Sequence, residues 1–274
     1  MQRSKLLKPL GMLLLAAVML ANLAPFLWQL NTSLKPDREI NTLPPIFPSE
    51  ATWAHFGNAL SSSFMRFVGN SAVVACSVTF VCLLIGSMAA YGIARKPIKG
   101  KGLILGLFLS ASMFPQIAVL SPIYVLIKEA GLYNTHLGLV FAYMLFCLPL
   151  SVWLLQGFFR ELPKELEEAA AVDGCGTARM YGQIILPLIM PGLVTAGLLV
   201  FIASWNEFLF ALSLTNNIHA QTIPVGIALF PQAYYVPWGD ISAASVVVTL
   251  PLILIVVLFE QKLTKGLVGG AVKG

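Results

Sequence analysis

The sequence predicts an all-α integral membrane protein of six transmembrane helices, and three observations carry that expectation. The first is composition: mean hydropathy is +0.83 and only 11% of the 274 residues are charged, a balance foreign to soluble domains of this length. The second is the presence of six stretches apolar over roughly the 20 residues that a helix needs to cross a hydrocarbon core. Backbone groups in lipid have to be satisfied internally, so runs of this length read as helices and not as open strands. The third is the distribution of lysine and arginine over alternate connecting segments. With the amino terminus placed inside, thirteen of the seventeen fall on the inner side and only Lys35, Arg38, Arg66 and Lys128 on the outer. That bias sets both termini in the cytoplasm. It also accounts for the net charge of +5, so no nucleic-acid partner is implied.

The first span is expected at residues 9–30. Arg3, Lys5 and Lys8 precede it as they would in a signal peptide. The apolar run is longer than a signal core, however, and no small-residue cleavage site precedes Asn31, so a retained helix is expected. Residues 31–66 form an outer crossing with Pro36, Pro44, Pro45 and Pro48, a density that reads as extended, ordered chain. The second span is expected at 67–93 and, after a tight basic turn at 98–101, the third at 102–127. A short outer turn leads to the fourth at 137–159. A charged inner segment, 160–187, connects to the fifth at 186–212. The outer loop 215–240 carries Phe230, Tyr234, Tyr235 and Trp238, which either anchor helix ends in the interface or form a docking surface. The sixth span is expected at 241–259, and residues 1–274 read as a single transmembrane domain.

Prolines recur inside these runs at 115, 122, 149, 191 and 251. Each frees a carbonyl and can bend or break its helix, a cost tolerated where neighbours or a water-filled cavity satisfy the backbone. A moving, passage-forming bundle is expected. The four cysteines and three histidines have no metal-ligand or disulfide spacing, so neither a catalytic nor a metal site is expected.

The stretch EEAAAVDGCG, residues 167–176, is the anomaly. Four of the twelve acids, Glu161, Glu165, Glu167 and Glu168, fall within eight positions, and Asp173 follows. The pattern from 162 to 186 reads helix, turn, helix. Pro163 suits a first helical position, and the early acids suit the positive end of the helix dipole. Glu161, Glu165 and Glu168 share one stripe at four- and three-residue spacing. Ala169 and Ala170 leave a smooth step that another protein can approach closely. Gly174 reads as a left-handed cap, and Thr177 as the cap of a second helix with Met180, Tyr181, Ile184 and Ile185 at helical spacing. A solvated acidic loop needs none of this shaping, whereas an element that fits a groove in a cytoplasmic partner does.

Glu168-Ala169-Ala170, three residues, Gly174, nine residues, then Ile184, Leu186 and Pro187 resembles the EAA signature of ATP-binding-cassette importer permeases. Other stretches are similar to the carbohydrate, maltose-type subclass: SLKPDREI, AAYGIAR, GLYNTHLGL, SWNEFLFALSLT and the terminal GAVKG. The likeness covers nearly the whole chain, and it departs at Cys175-Gly176, where relatives commonly carry Ala-Ser or a similar pair. The resemblance implies that this loop is a coupling helix docking in a cleft of an ATP-binding subunit, with contacts from Glu165, Glu168, Ala169, Ala170, Asp173, Gly174, Ile184, Leu186 and Pro187. No GxxxxGK[ST] occurs in the chain, so ATP and its Mg are expected in partner subunits and no enzymatic activity or cofactor here. The implied partners are a homologous second permease, two ATP-binding subunits, an extracytoplasmic solute-binding protein and membrane lipid. The implied location is the cell inner (plasma) membrane. The GAVKG tail is expected near the ATP-binding subunits.

Glu207 is the one acid in the middle of an apolar run, and an ionisable group in a span marks function by default. A helix end facing water is the alternative. In the sugar-type relatives this cluster belongs to the gate and path, which makes Ser204, Trp205, Asn206 and Glu207 candidates for lining it. Hydroxyl, amide and carboxylate groups suit a polyhydroxyl solute. An intramembrane enzyme would need a convergent Asp/His/Ser or metal constellation, and an ion-coupled transporter paired intramembrane charges and internal repeats. The sequence has neither.

Overall fold

The computed structural model describes residues 3–40, 45–230 and 236–271, with side-chain detail for 11–40, 45–61, 63–230 and 236–259. Among these residues every regular element is helical. In chain order they are α1 (Arg3–Ser33), α2 (Asp37–Ile40), α3 (Ala54–Ala59), α4 (Ser62–Arg95), α5 (Lys101–Ser112), α6 (Gln116–Glu129) and α7 (His136–Glu161). There follow α8 (Glu165–Val172), α9 (Thr177–Met180), a π-helical turn (Tyr181–Ile185), α10 (Leu186–Leu188), α11 (Met190–Trp205), α12 (Leu209–Leu214), α13 (Ile223–Ala228) and α14 (Trp238–Ala271). Tyr234, Tyr235, Pro44 and the last residues of GAVKG lie outside the described residues.

Four stretches are long and apolar enough to cross a membrane alone: Gly11–Ser33, Ser63–Arg95, His136–Glu161 and Trp238–Phe259. Two more arise if each bent pair is one span, α5 with α6 bent by 90° and Thr177–Leu188 with α11 bent by 77°. The protein is an all-α, multi-pass membrane protein.

The prolines do not act alike. Pro115 stands at the bend between α5 and α6, as the residue capping α6; its ring also drives the preceding residue out of helical backbone. Pro191 sits in the first turn of α11, just past the bend at Ile189, where a missing N–H costs nothing. Pro122, Pro149 and Pro251 instead lie inside the unbroken α6, α7 and α14. There each proline removes one backbone bond without ending its helix. The stretch 186–212 is three helices, interrupted at Ile189 and again over 206–208.

The chain divides into two compact units, Met1–Met65 with Ile227–Pro251 and Arg66–Gly226 with Leu252–Gly274. In the first, α1 exposes apolar side chains from Met12 to Trp28, while the following segment is tied by polar contacts. The buried Lys35 ammonium donates to the Pro45 carbonyl at 2.9 Å and lies 5.2 Å from the centre of the Trp28 ring. Ser49 donates to Glu39 through its hydroxyl and its backbone N–H, which holds the Glu39 carboxyl below its ordinary pKa. His55 is buried with Nδ1 2.7 Å from Asp240 Oδ1 and Nε2 3.0 Å from the Lys35 carbonyl. These pairings satisfy polar groups that would otherwise be costly to bury.

In the second unit, α7 packs against both α5 and α11. One apolar cluster includes Val74, Val78, Leu139, Tyr143, Phe210 and Leu214, and another includes Ala90, Tyr91, Phe159, Met180, Ile185 and Ile189. Without a hydrophobic drive between helices in lipid, close approach depends on small residues. Gly192 is one: a Cβ there would lie 2.5 Å from Phe158 Cγ.

Candidate functional site

The charged segment forms a short helical hairpin rooted in the second apolar cluster. After α7 the chain passes through extended Leu162, and Lys164 is the residue capping α8. Pro163 therefore lies ahead of the helix and not at its first position. Glu165, Glu167 and Glu168 occupy the first turn of α8, where the helix dipole favours negative charge. The helix closes at Gly174, which has φ +72°. The Cys175 N–H donates to Ala170 O at 2.9 Å and the Gly174 N–H to Ala171 O at 3.1 Å, the paired bonds of a Schellman ending. Gly176 is the residue capping α9, with no side-chain cap bond. Thr177 thus stands one residue inside the helix and does not cap it.

The hairpin has two unlike faces. Ala170, Met180 and Ile185 are buried, beside Tyr91 and Phe159, whose rings meet edge-on at 5.5 Å. Glu165, Glu168, Ala169, Asp173 and Gly174 are exposed, as is Val172. Ile184 and Leu186 are half-buried at the root, and Pro187 is exposed. The outward face is acidic and small-featured, and it is stiffened from behind.

Glu167 departs from its neighbours. Its Oε1 lies 2.8 Å from Arg95 Nε, with side chains 21% and 5% exposed; the N–H direction lies off the line of a hydrogen bond. Arg95 Nη2 donates to Leu162 O at 2.6 Å, and the Tyr91 hydroxyl donates to Glu167 Oε2 at 3.3 Å. Sequence reasoning noted AAYGIAR without assigning Tyr91 or Arg95 to the hairpin. The available signal was that Glu167 falls off the stripe shared by Glu161, Glu165 and Glu168.

The polar cluster near residue 206 sits where helix fails. Asn206 is the C-cap of α11, and α12 starts at Leu209. The Glu207 carboxylate accepts the backbone N–H of Phe210 at 2.8 Å and that of Ala211 at 3.1 Å, satisfying orphan donors at the start of α12. Asn206 is exposed and its Nδ2 donates to Ile202 O at 2.8 Å. Ser204 and Trp205 are each 4% exposed within the chain itself. The Ser204 hydroxyl lies 3.6 Å from Cys147 Sγ, and the Trp205 ring stacks on Phe201 at 5.5 Å. Of the four residues only Asn206 is exposed, and Glu207 is half-buried.

Among the described residues no group of three or more His, Cys, Asp or Glu gathers as a metal site. What the fold provides is a set of apolar spans, two of them bent, a helix break capped by Glu207, and a short helix with exposed acids at its start. Those parts suit a membrane permease. A family profile described as binding-protein-dependent transport system inner membrane component matches residues 82–267, and the chain belongs to that family. It is 39% identical, over 99% of both chains, to a trehalose/maltose transport system permease protein of Thermococcus litoralis. It is 39% identical to a trehalose transport system permease protein of Mycobacterium tuberculosis, covering 92% of this chain and 93% of the other. To a sulfoquinovosyl glycerol transport system permease protein of Agrobacterium fabrum it is 37% identical, covering 97% and 94%. The fold matches a chain of a bacterial ABC transporter that imports the polysaccharide alginate, with a TM-score of 0.81 at 18% identity over 95% and 98% of the two chains. The relatives are transport permeases, and this chain is a permease that forms a translocation pathway.

Proposed function

We propose that this chain forms half of the pathway for a sugar or related polyhydroxyl solute in an ATP-driven importer. Its pathway half is completed by a homologous second permease. Two ATP-binding subunits hold ATP and Mg and perform the hydrolysis, and an extracytoplasmic solute-binding protein delivers the cargo. Both termini lie in the cytoplasm, which puts α8 and α9 on the side where ATP is available. The observation that carries the reading is the exposed face of α8, where Glu165, Glu168 and Asp173 surround the alanine step at Ala169. Such a face fits a cleft lined with basic residues, where each carboxylate can accept charge-assisted hydrogen bonds. Gly174 fixes the direction in which the hairpin returns, and Ile184, Leu186 and Pro187 connect it to the bent span.

On the pathway side, Asn206 offers an exposed amide suited to hydroxyl groups, and Glu207 shapes the break that presents it. Ser204 and Trp205 support that position from within. Full-length kinship to disaccharide permeases supports the choice of cargo class. The test is uptake of labelled mono-, di- and oligosaccharides by a deletion strain carrying this chain and its partners, with co-purification of the ATP-binding subunit. Uptake of one sugar class with a stable complex is expected. Absence of uptake across the panel, or a chain that purifies alone, refutes the proposal.

A further inference from the structure

Helix α4 is gripped by directional polar contacts at both of its ends. At one end Arg95 meets Glu167 at 2.8 Å and donates to Leu162 O at 2.6 Å, and Tyr91 adds a bond to Glu167. The last turn of α4 thereby holds the entry of α8 on either side of Pro163. At the other end the buried Asn70 amide donates to Ile218 O at 2.9 Å and Gln221 O at 2.8 Å. The buried Ser71 hydroxyl accepts the Ile223 N–H at 2.8 Å. His136 Nε2 lies 3.1 Å from Asn70 Oδ1, and Arg66 Nη1 lies 3.1 Å from His219 Nδ1. The held segment, 216–223, directly follows α12, the helix that Glu207 caps.

Two properties make α4 suited to carry a displacement between those ends. It is the one described helix longer than twenty residues without an internal proline, since α1, α7 and α14 each contain one or more. From residue 70 to residue 95 it covers roughly 37 Å at about 1.5 Å per residue, more than the hydrocarbon thickness of about 30 Å. Apolar contacts under α8 are non-directional and can slide, whereas the hydrogen bonds from Arg95 to the Leu162 carbonyl and from Asn70 to the Ile218 and Gln221 carbonyls keep register.

We infer that α4 is a transmission shaft: movement of α8 is delivered through Arg95 to α4 and through Asn70 and Ser71 to the segment 216–223, which follows α12 and the helix break before it. This rests on the reading of α8 as the docking helix. Arg95 and Asn70 act as positioning residues, touching neither ATP nor solute.

A double-mutant cycle on the assembled complex in proteoliposomes tests the inference, reading solute moved per ATP hydrolysed, with co-purification of the subunits as the assembly control. Arg95→Met and Asn70→Ala are each expected to lower that ratio at least fivefold. The double variant should be no worse than the poorer single within about twofold, because a shaft released at one end transmits nothing more to lose. Double loss equal to the product of the single losses overturns the inference, as does a wild-type ratio in either single variant. Should Arg95→Met fail to assemble, Arg95→Lys takes its place, keeping the charge while losing the fork that reaches Leu162 and Glu167 together. The wild-type ratio in the same vesicles tests the functional reading separately, so the two ideas fail separately.

Discussion

Replacing Gly174 by valine isolates the backbone of the α8–α9 turn from its surroundings. Gly174 has φ +72°, and a Cβ built on it meets no atom within 4 Å. The Cβ itself meets open space, so the penalty worked from the structure is the left-handed strain, about 1–2 kcal/mol for a residue with a side chain. The two bonds that close the turn, 2.9 Å to Ala170 O and 3.1 Å to Ala171 O, depend on that conformation. A penalty of this size lowers the population of the native turn by a factor of about 5–30. Asparagine visits the left-handed region more readily, so Gly174→Asn is the matched control. Gly176→Ala is a second, since Gly176 has φ −66° and open space around its Cβ. The assay is membrane abundance, retention of the ATP-binding subunit and ATP-driven uptake in proteoliposomes. All three variants should reach wild-type abundance, with uptake reduced fivefold or more in Gly174→Val alone. Wild-type uptake by Gly174→Val, or equal losses in the valine and asparagine variants, would refute the reasoning.

Glu168→Lys should leave abundance unchanged and lower local stability by no more than about 1 kcal/mol, the worth of one exposed charge at a helix start, while binding of the ATP-binding subunit weakens. A lost charge-assisted bond of about 1.5–3 kcal/mol corresponds to roughly tenfold to a hundredfold in affinity, measurable by titrating the subunit onto the purified permease. Glu207→Ala removes the acceptor of two backbone donors and should cost about 0.5–2 kcal/mol of local stability, as loss of a helix cap does. Glu207→Gln retains one carbonyl acceptor and should lose less; equal melting temperatures for both variants and wild type would count against a capping role. Asn206→Ala should raise the solute concentration for half-maximal uptake with little change in abundance, since its amide is exposed and its own bond runs only to Ile202.

The membrane class was legible because hydropathy sums over long windows, and single prolines or glycines do not erase it. The turn at Gly174 was legible because its cause is local: a glycine just past an alanine-rich helix. Other local readings went wrong by one or two positions. Lys164, not Pro163, borders α8, and Gly176, not Thr177, borders α9. Backbone direction leaving Leu162 and the glycine turn decides those ends, and neither is encoded in the capping residue alone. The chain bends at Pro115 and runs unbroken through Pro122, and the presence of a proline alone does not distinguish the two outcomes. Arg95 and Glu167 lie far apart in the chain, so their pairing depends on tertiary folding. The capping role of Glu207 was within reach, because an acid three residues before Phe210 is the spacing at which a side chain meets orphan N–H groups.

The central claim is that the outward face of α8 is where an ATP-binding subunit docks. Cysteine at Ala169, on that exposed face, cross-linked with a short thiol reagent to cysteines placed along the cleft of the subunit, tests it most directly. We predict a cross-linked product of the summed mass of the two chains, formed from Ala169→Cys but not from a cysteine at Ile46, which is also exposed, together with arrested uptake. No product from Ala169→Cys in a complex that transports at the wild-type rate would contradict it.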